Sequence, residues 1–172
     1  TSLQILPGSA NLIGGRGVTL KNIPGQSVMA MKFPGAPYGM KMACGENPKR
    51  VYGSRRQSPS TRMGNVAGYR AAWIEASEYR DKMEQANKGK GEPPKRDLKL
   101  ETLTGVLNGE ILVHNHCYRA DEMSVMLEIA KEFNYKVGTF HHAVEAYKIA
   151  DLLRETDTCA AIWADWWGFK ME

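Results

Sequence analysis

The 172 residues are 42% hydrophobic and 24% charged, with 23 basic against 19 acidic side chains and a formal net charge of +4. That is enough chain for one ordinary domain with its own core, in a composition typical of globular proteins. No stretch reaches the roughly 20 apolar residues of a membrane-spanning helix, and no broad basic face with reading elements marks a nucleic-acid binder, so neither partner is expected.

The first third is rich in glycine and proline: PGSANLIGGRG, IPGQ and FPGAPYGMK. These are turns around short extended pieces such as Gly17 to Asn22. GGRG matches neither the P-loop nor the dinucleotide fingerprint. The next segment, ENPKRVYGSRRQSPSTR, sets Lys49, Arg50, Arg55, Arg56 and Arg62 against Glu46 alone and reads as a solvated loop, or one near an anionic substrate group. From Gly68 the period changes. Tyr69, Ala72, Trp73, Ala76, Tyr79 and Met83 fall on one face of an amphipathic helix. After the polar connector NKGKGEPPKRD, a shorter helix is expected from Asp97 to Leu107, stopped at Asn108-Gly109.

The last third is the most regular. Ile111 to Val113 reads as a strand buried on both faces. Asp121 is placed to cap a helix with Met123, Met126, Leu127, Ala130 and Phe133 inward. Lys136 to Phe140 reads as a strand, Ala143 to Leu153 as a helix and Cys159 to Trp163 as another strand. This alternation predicts βαβ units and a parallel sheet. Cys44, Cys117 and Cys159 lie far apart without a CxxC pair, which predicts no disulfide framework and no cysteine-rich zinc module, only small buried thiols.

Parallel α/β folds place their working residues at the carboxyl ends of strands, and all four histidines fall there. His114 and His116, at i and i+2, point the same way from an extended strand. Of the adjacent His141 and His142, only one can face the same site while the backbone stays extended. Neutral imidazole is the commonest ligand of zinc-like ions, and such an ion makes water reactive near neutral pH. Lys41, among apolar residues near a strand end, is costly to bury as a cation; a neutral amine can act as base or, once carbamylated, as a metal ligand. Its alternative is an ammonium that reaches solvent or pairs with Glu46. Cys117 points away from both histidines of its strand and is not a ligand candidate. Trp163, Trp166 and Trp167 around Asp165 line a pocket or seal a rim.

These motifs carry a resemblance. VHNHCYRADEM resembles the VHAHRADDI-type segment of imidazolonepropionase-related amidohydrolases, and TFHHAVEAYKIADLL is similar to their IEHGTEAYKIADEL-type segment. MKMACGENPKRVYG looks like their LKAALGENPKRVYG-type stretch, with the same sort of TRMG helix start after it, and GSANLIGGRG fits their loop. The resemblance runs in order over nearly the whole chain. It implies an α/β fold, a partial TIM-like (β/α)8 barrel of central strands and helices, spanning roughly strand two or three to strand seven over residues 1–172. It implies a metal-dependent hydrolase of an amide or cyclic amide bond, with a divalent metal, zinc foremost, and a small amide or peptide-like substrate. By position, His114 matches the strand-five ligand, His142 the strand-six residue, with metal-binding and catalytic roles, and Lys41 the strand-four lysine in context. His116 matches a catalytic neighbour that touches substrate or supports a ligand. His141 stands where relatives carry Glu, and its role stays open. The first-strand HxH and last-strand Asp have no counterpart here. The expectation is therefore an inactive excerpt that needs the remainder of its barrel or self-association. The competing reading is a non-enzymatic α/β module binding an anionic ligand.

Overall fold

The computed structural model describes residues 1–163. Six strands lie side by side in chain order: β1 (Ser2–Ile5), β2 (Ile13–Lys21), β3 (Tyr38–Ala43), β4 (Ile111–His116), β5 (Val137–His141) and β6 (Cys159–Ala161). The first two junctions are antiparallel and the last three parallel. The result is mixed α/β, a curled half-barrel sheet of the TIM type with helices on its outer side.

The helices are α1 (Val28–Met31), α2 (Glu46–Gly53), α3 (Arg62–Asn87), α4 (Leu98–Leu107), α5 (Ala120–Phe133) and α6 (Ala150–Glu155). The expected amphipathic helix is α3, longer at both ends than its apolar period. It begins where Thr61 Oγ1 accepts from Gly64 N at 3.0 Å. The shorter helix expected from Asp97 is α4, and Asp97 is its cap, accepting from Lys99 N and Leu100 N. Three expectations are corrected. The basic segment is not a loop throughout, because its first half is α2; Pro48 sits in the first turn, where a missing N–H costs nothing. Asp121 does not cap α5 but lies in its first turn against Arg119, at 2.9 Å, while Glu145 Oε2 accepts from the leading Ala120 N–H at 3.0 Å. The helix expected from Ala143 opens instead as a 3-10 turn, Ala146–Ile149, before α6.

The core lies between sheet and helices. Met40 and Met42 of β3, Val113 of β4 and Phe140 of β5 are fully or almost fully buried against Tyr69 and Trp73 of α3, Leu103 and Val106 of α4, and Met123, Met126 and Ile129 of α5. Trp73 stacks on Tyr135 with ring centroids 4.3 Å apart. Because side chains alternate along a strand, this packing sends Lys41, His114 and His116 to the opposite, concave face. No helix among the described residues is long and apolar enough to cross a membrane.

Candidate active site on the concave face

Lys41 pairs with His114, and Ala43 with His116, in the parallel β3–β4 ladder, so their side chains share a face. The next ladder contains a defect. Val113 pairs with Val137, but His114 pairs with Thr139, so Gly138 is an extra residue without a partner. A bulge shifts the alternation of everything after it. Here it turns Phe140 into the core and brings His141, paired with His116, onto the face of the histidines.

This decides which member of the His141–His142 pair meets His114. His114 Nδ1 lies 3.0 Å from His141 Nε2. His142 is the residue expected to share a site with His114. His142 follows the strand with φ of 59°, leaves the extended conformation, and accepts a hydrogen bond at Nδ1 from Trp163 Nε1 at 2.8 Å. Its ring lies 4.8 Å from that of His116, which in turn meets Tyr118 edge-on at 4.4 Å. The four imidazoles thus form two neighbouring pairs, 114 with 141 and 116 with 142. Trp163 belongs to the second; Asp165, Trp166 and Trp167 lie outside the described residues.

Hydrogen bonds set the protons. An amide nitrogen only donates. Gln4 Nε2, from β1, is 3.0 Å from His114 Nε2, which therefore accepts, so the His114 proton sits on Nδ1 and points at His141 Nε2. Asn47 Nδ2, from α2, donates to Ser9 Oγ at 2.8 Å and to His116 Nε2 at 3.0 Å, leaving the His116 proton on Nδ1. Gln4, Ser9 and Asn47 were not among the sequence candidates. Nothing local marks Gln4 or Ser9; only the GENPKRVYG motif hinted at Asn47. Lys41 is 6% exposed and donates from Nζ to Pro7 O at 3.1 Å, not to Glu46, which holds Lys49.

Burial dominates the electrostatics. It lowers the pKa of Lys41, and it lowers that of His114, to which the Lys41 charge adds. His141 is pushed down to about 4, first by burial, then by His114, Lys41 and His142. Both imidazoles of the first pair are therefore neutral near pH 7, the form that binds metals. Two nitrogens on one tetrahedral zinc, with bonds of 2.0–2.1 Å, stand about 3.3 Å apart. The observed 3.0 Å is the length of the hydrogen bond that joins the two rings, a little shorter than such an edge. Among the described residues, no group of three His, Cys, Asp or Glu donors gathers at this place; the one such group is Cys44, Cys117 and Glu122, elsewhere.

The cysteines correct a further expectation. Cys44 and Cys117 are not separate thiols but a disulfide, with Cα atoms 5.2 Å apart, while Cys159 is free and exposed. Cys117 does point away from the histidines, into the core side of the sheet.

No protein-family model matches the chain. Amidohydrolase tasK of Hapsidospora irregularis is 35% identical over 193 residues, an alignment that takes in 100% of this chain and 20% of that protein. The crystal structure of an amidohydrolase from Thermotoga maritima MSB8 superposes with a TM-score of 0.88 at 39% identity, over 95% of this chain and 42% of that one. The chain is related to the amidohydrolases. The relationship covers a part of each relative, a fifth of the curated one, and within that part the amidohydrolase half-barrel holds all four histidines.

Proposed function

We propose that this chain supplies part of the active site of a metal-dependent amidohydrolase, which cleaves an amide or cyclic amide bond in a small or peptide-like substrate. The observation that carries the reading is the 3.0 Å approach of two neutral imidazole nitrogens, His114 Nδ1 and His141 Nε2, at the carboxyl ends of adjacent parallel strands. In this reading His114 and His141 hold a divalent ion, zinc foremost, with the deprotonated or carbamylated Lys41 beside them; the His114 proton then moves to Nε2, where the Gln4 amide, turned to present its oxygen, accepts it and frees Nδ1 for the ion. A bound divalent ion polarises a carbonyl and lowers the pKa of water toward neutrality.

The second pair faces the substrate. His142, accepting from Trp163 at Nδ1, keeps its neutral-form proton on Nε2, where it can pass to a leaving nitrogen. His116, held by Asn47, orients the scissile group from the neighbouring strand. Two imidazoles fall short of the three protein donors of a catalytic zinc. The proposal therefore assigns the missing donors to the remainder of the barrel or to a second copy, and expects the 172 residues alone not to turn over.

The test uses the disulfide-bonded chain, stripped with chelator and titrated with zinc. His114→Ala and His141→Ala should each weaken binding by at least about tenfold. In the complete protein, His142→Gln should lower kcat for a dipeptide or cyclic amide by about 10²–10⁴-fold with metal content kept. Unchanged zinc affinity in both alanine variants would sink the reading. Tight phosphate binding indifferent to chelator would favour a non-enzymatic anion-binding module.

A further inference from the structure

A second cluster lies on the helix side of the sheet. Cys44 follows the last residue of β3, Cys117 follows the last of β4, and both are buried. Glu122, in the first turn of α5, directs Oε2 to 3.8 Å from Cys44 Sγ, while Arg62 Nε donates to its Oε1. Gly45 permits that approach: with φ of 69° it is in the left-handed region, and a Cβ there would stand 2.2 Å from Glu122 Oε2. The two sulfurs and a carboxylate oxygen lie within 4.8 Å of one another.

The cluster borders a cavity of about 360 Å³ between the starts of α3 and α5. Asn65 lines the same cavity and is 2% exposed; its Nδ2 donates to Gly45 O at 3.0 Å, and its Oδ1 has no hydrogen-bond partner. Disulfide formation accounts for two sulfurs. It does not account for the Glu122 carboxylate beside them, or for an unspent amide oxygen that lines the same cavity. Two thiolates, a carboxylate and a neutral oxygen form a soft donor set suited to zinc-like ions. With Zn–S near 2.3 Å and Zn–O near 2.0–2.2 Å, donors on one ion sit about 3.5–3.8 Å apart; Glu122 Oε2 stands 3.8 Å from Cys44 Sγ, and the two sulfurs, bonded here, must part to such a distance once reduced. The charges also balance, since two thiolates and Glu122 are offset by Arg62 and one divalent ion.

We propose that Cys44, Cys117 and Glu122 form a redox-gated site for a thiophilic divalent cation such as zinc, separate from the histidines. In the closed state the sulfurs are bonded to each other. A dithiol opens it: one thiolate attacks a cysteine sulfur, the second displaces the mixed disulfide, the dithiol becomes a cyclic disulfide, and both its protons end on the cysteine sulfurs. Binding of the cation then releases those two protons to solvent.

The experiment uses the protein with Cys159→Ser, so that the exposed thiol does not contribute. Oxidised and dithiol-reduced samples, freed of reductant without oxygen, are titrated with cobalt(II) and then with zinc. The reduced sample should take up one more equivalent of cobalt than the oxidised one and show thiolate-to-cobalt charge-transfer absorption, which zinc should abolish. Cys44→Ser and Cys117→Ser should each remove that absorption, Glu122→Gln should weaken cobalt binding by about tenfold, and His114→Ala should leave it intact. Equal cobalt uptake in both redox states would overturn the proposal. So would charge-transfer absorption that survives both serine variants, or loss of helical circular dichroism on reduction.

Discussion

His141 is the residue on which chemistry and stability meet. Its imidazole has a folded pKa of about 4, against 6.5 for the free group, because burial and then His114, Lys41 and His142 oppose its charge. The sign follows from proton counting. Above 6.5 the group is neutral folded or unfolded and contributes nothing to the pH dependence; from 6.5 down to about 4 only the unfolded chain gains a proton, so stability falls with pH and then levels off. His114, also lowered, acts in the same direction. We therefore expect the urea midpoint of chelator-treated protein to drop between about pH 7 and pH 4, with a flatter profile for His141→Gln. A profile unchanged by that substitution would exclude His141 as the source. Gln4 makes a second case. Its amide lies 3.0 Å from His114 Nε2, on the far side of the ring from His141, and with its oxygen turned to that nitrogen it holds the proton on Nε2 and leaves Nδ1 open to an ion. Gln4→Leu should weaken zinc binding by about tenfold or more in a chelator competition, without touching the ion. The histidines themselves were legible, since the spacing of His114 and His116 places both on one face. The choice between His141 and His142 was not, because it depends on a single unpaired glycine.

That glycine shows how an element can be recognised while its facing is not. Lys136 to Phe140 reads as a strand from composition, and β5 is there as Val137–His141. Plain alternation from Val137 would bury His141 and turn Phe140 to the concave face. The bulge at Gly138 reverses this. For α3 the local signal sufficed, because its apolar residues repeat at helical spacing and Tyr69, Ala72, Trp73 and Ala76 of that face join the core. Trp73, fully buried against Tyr135 and the methionines of β3, is the centre of that contact. Trp73→Ala should cost about 3–5 kcal/mol in denaturant unfolding. A loss below about 1 kcal/mol would mean that the helix does not rest on its tryptophan. The opposite case is α2. A run of basic residues carries no apolar stripe, and the helix exists because Asn47 and Glu46 are held by His116, Ser9, Lys49 and Arg62.

Parallel sheets are ordinarily covered on both faces, yet here Leu112 of β4 on the concave side is 41% exposed, and all three residues of the edge strand β6 are exposed. An uncovered edge strand and an exposed apolar position favour association with another chain or segment. The 172 residues on their own should therefore elute above monomer size in gel filtration with light scattering, and Leu112→Glu should shift them toward monomer. A monomer at every concentration, with or without the substitution, would contradict this. The order of strands and helices from α3 onward, the core face of α3 and the strand-end positions of the histidines could be read from residues a few places apart, because helical and extended periods are local properties of the chain. The Cys44–Cys117 pairing across 73 residues, the partnership of His114 with Gln4 and His141, and the inward turn of Phe140 are set by strand register. Register is a relation between distant segments, fixed only once both have packed against the same helices, so no local pattern records it.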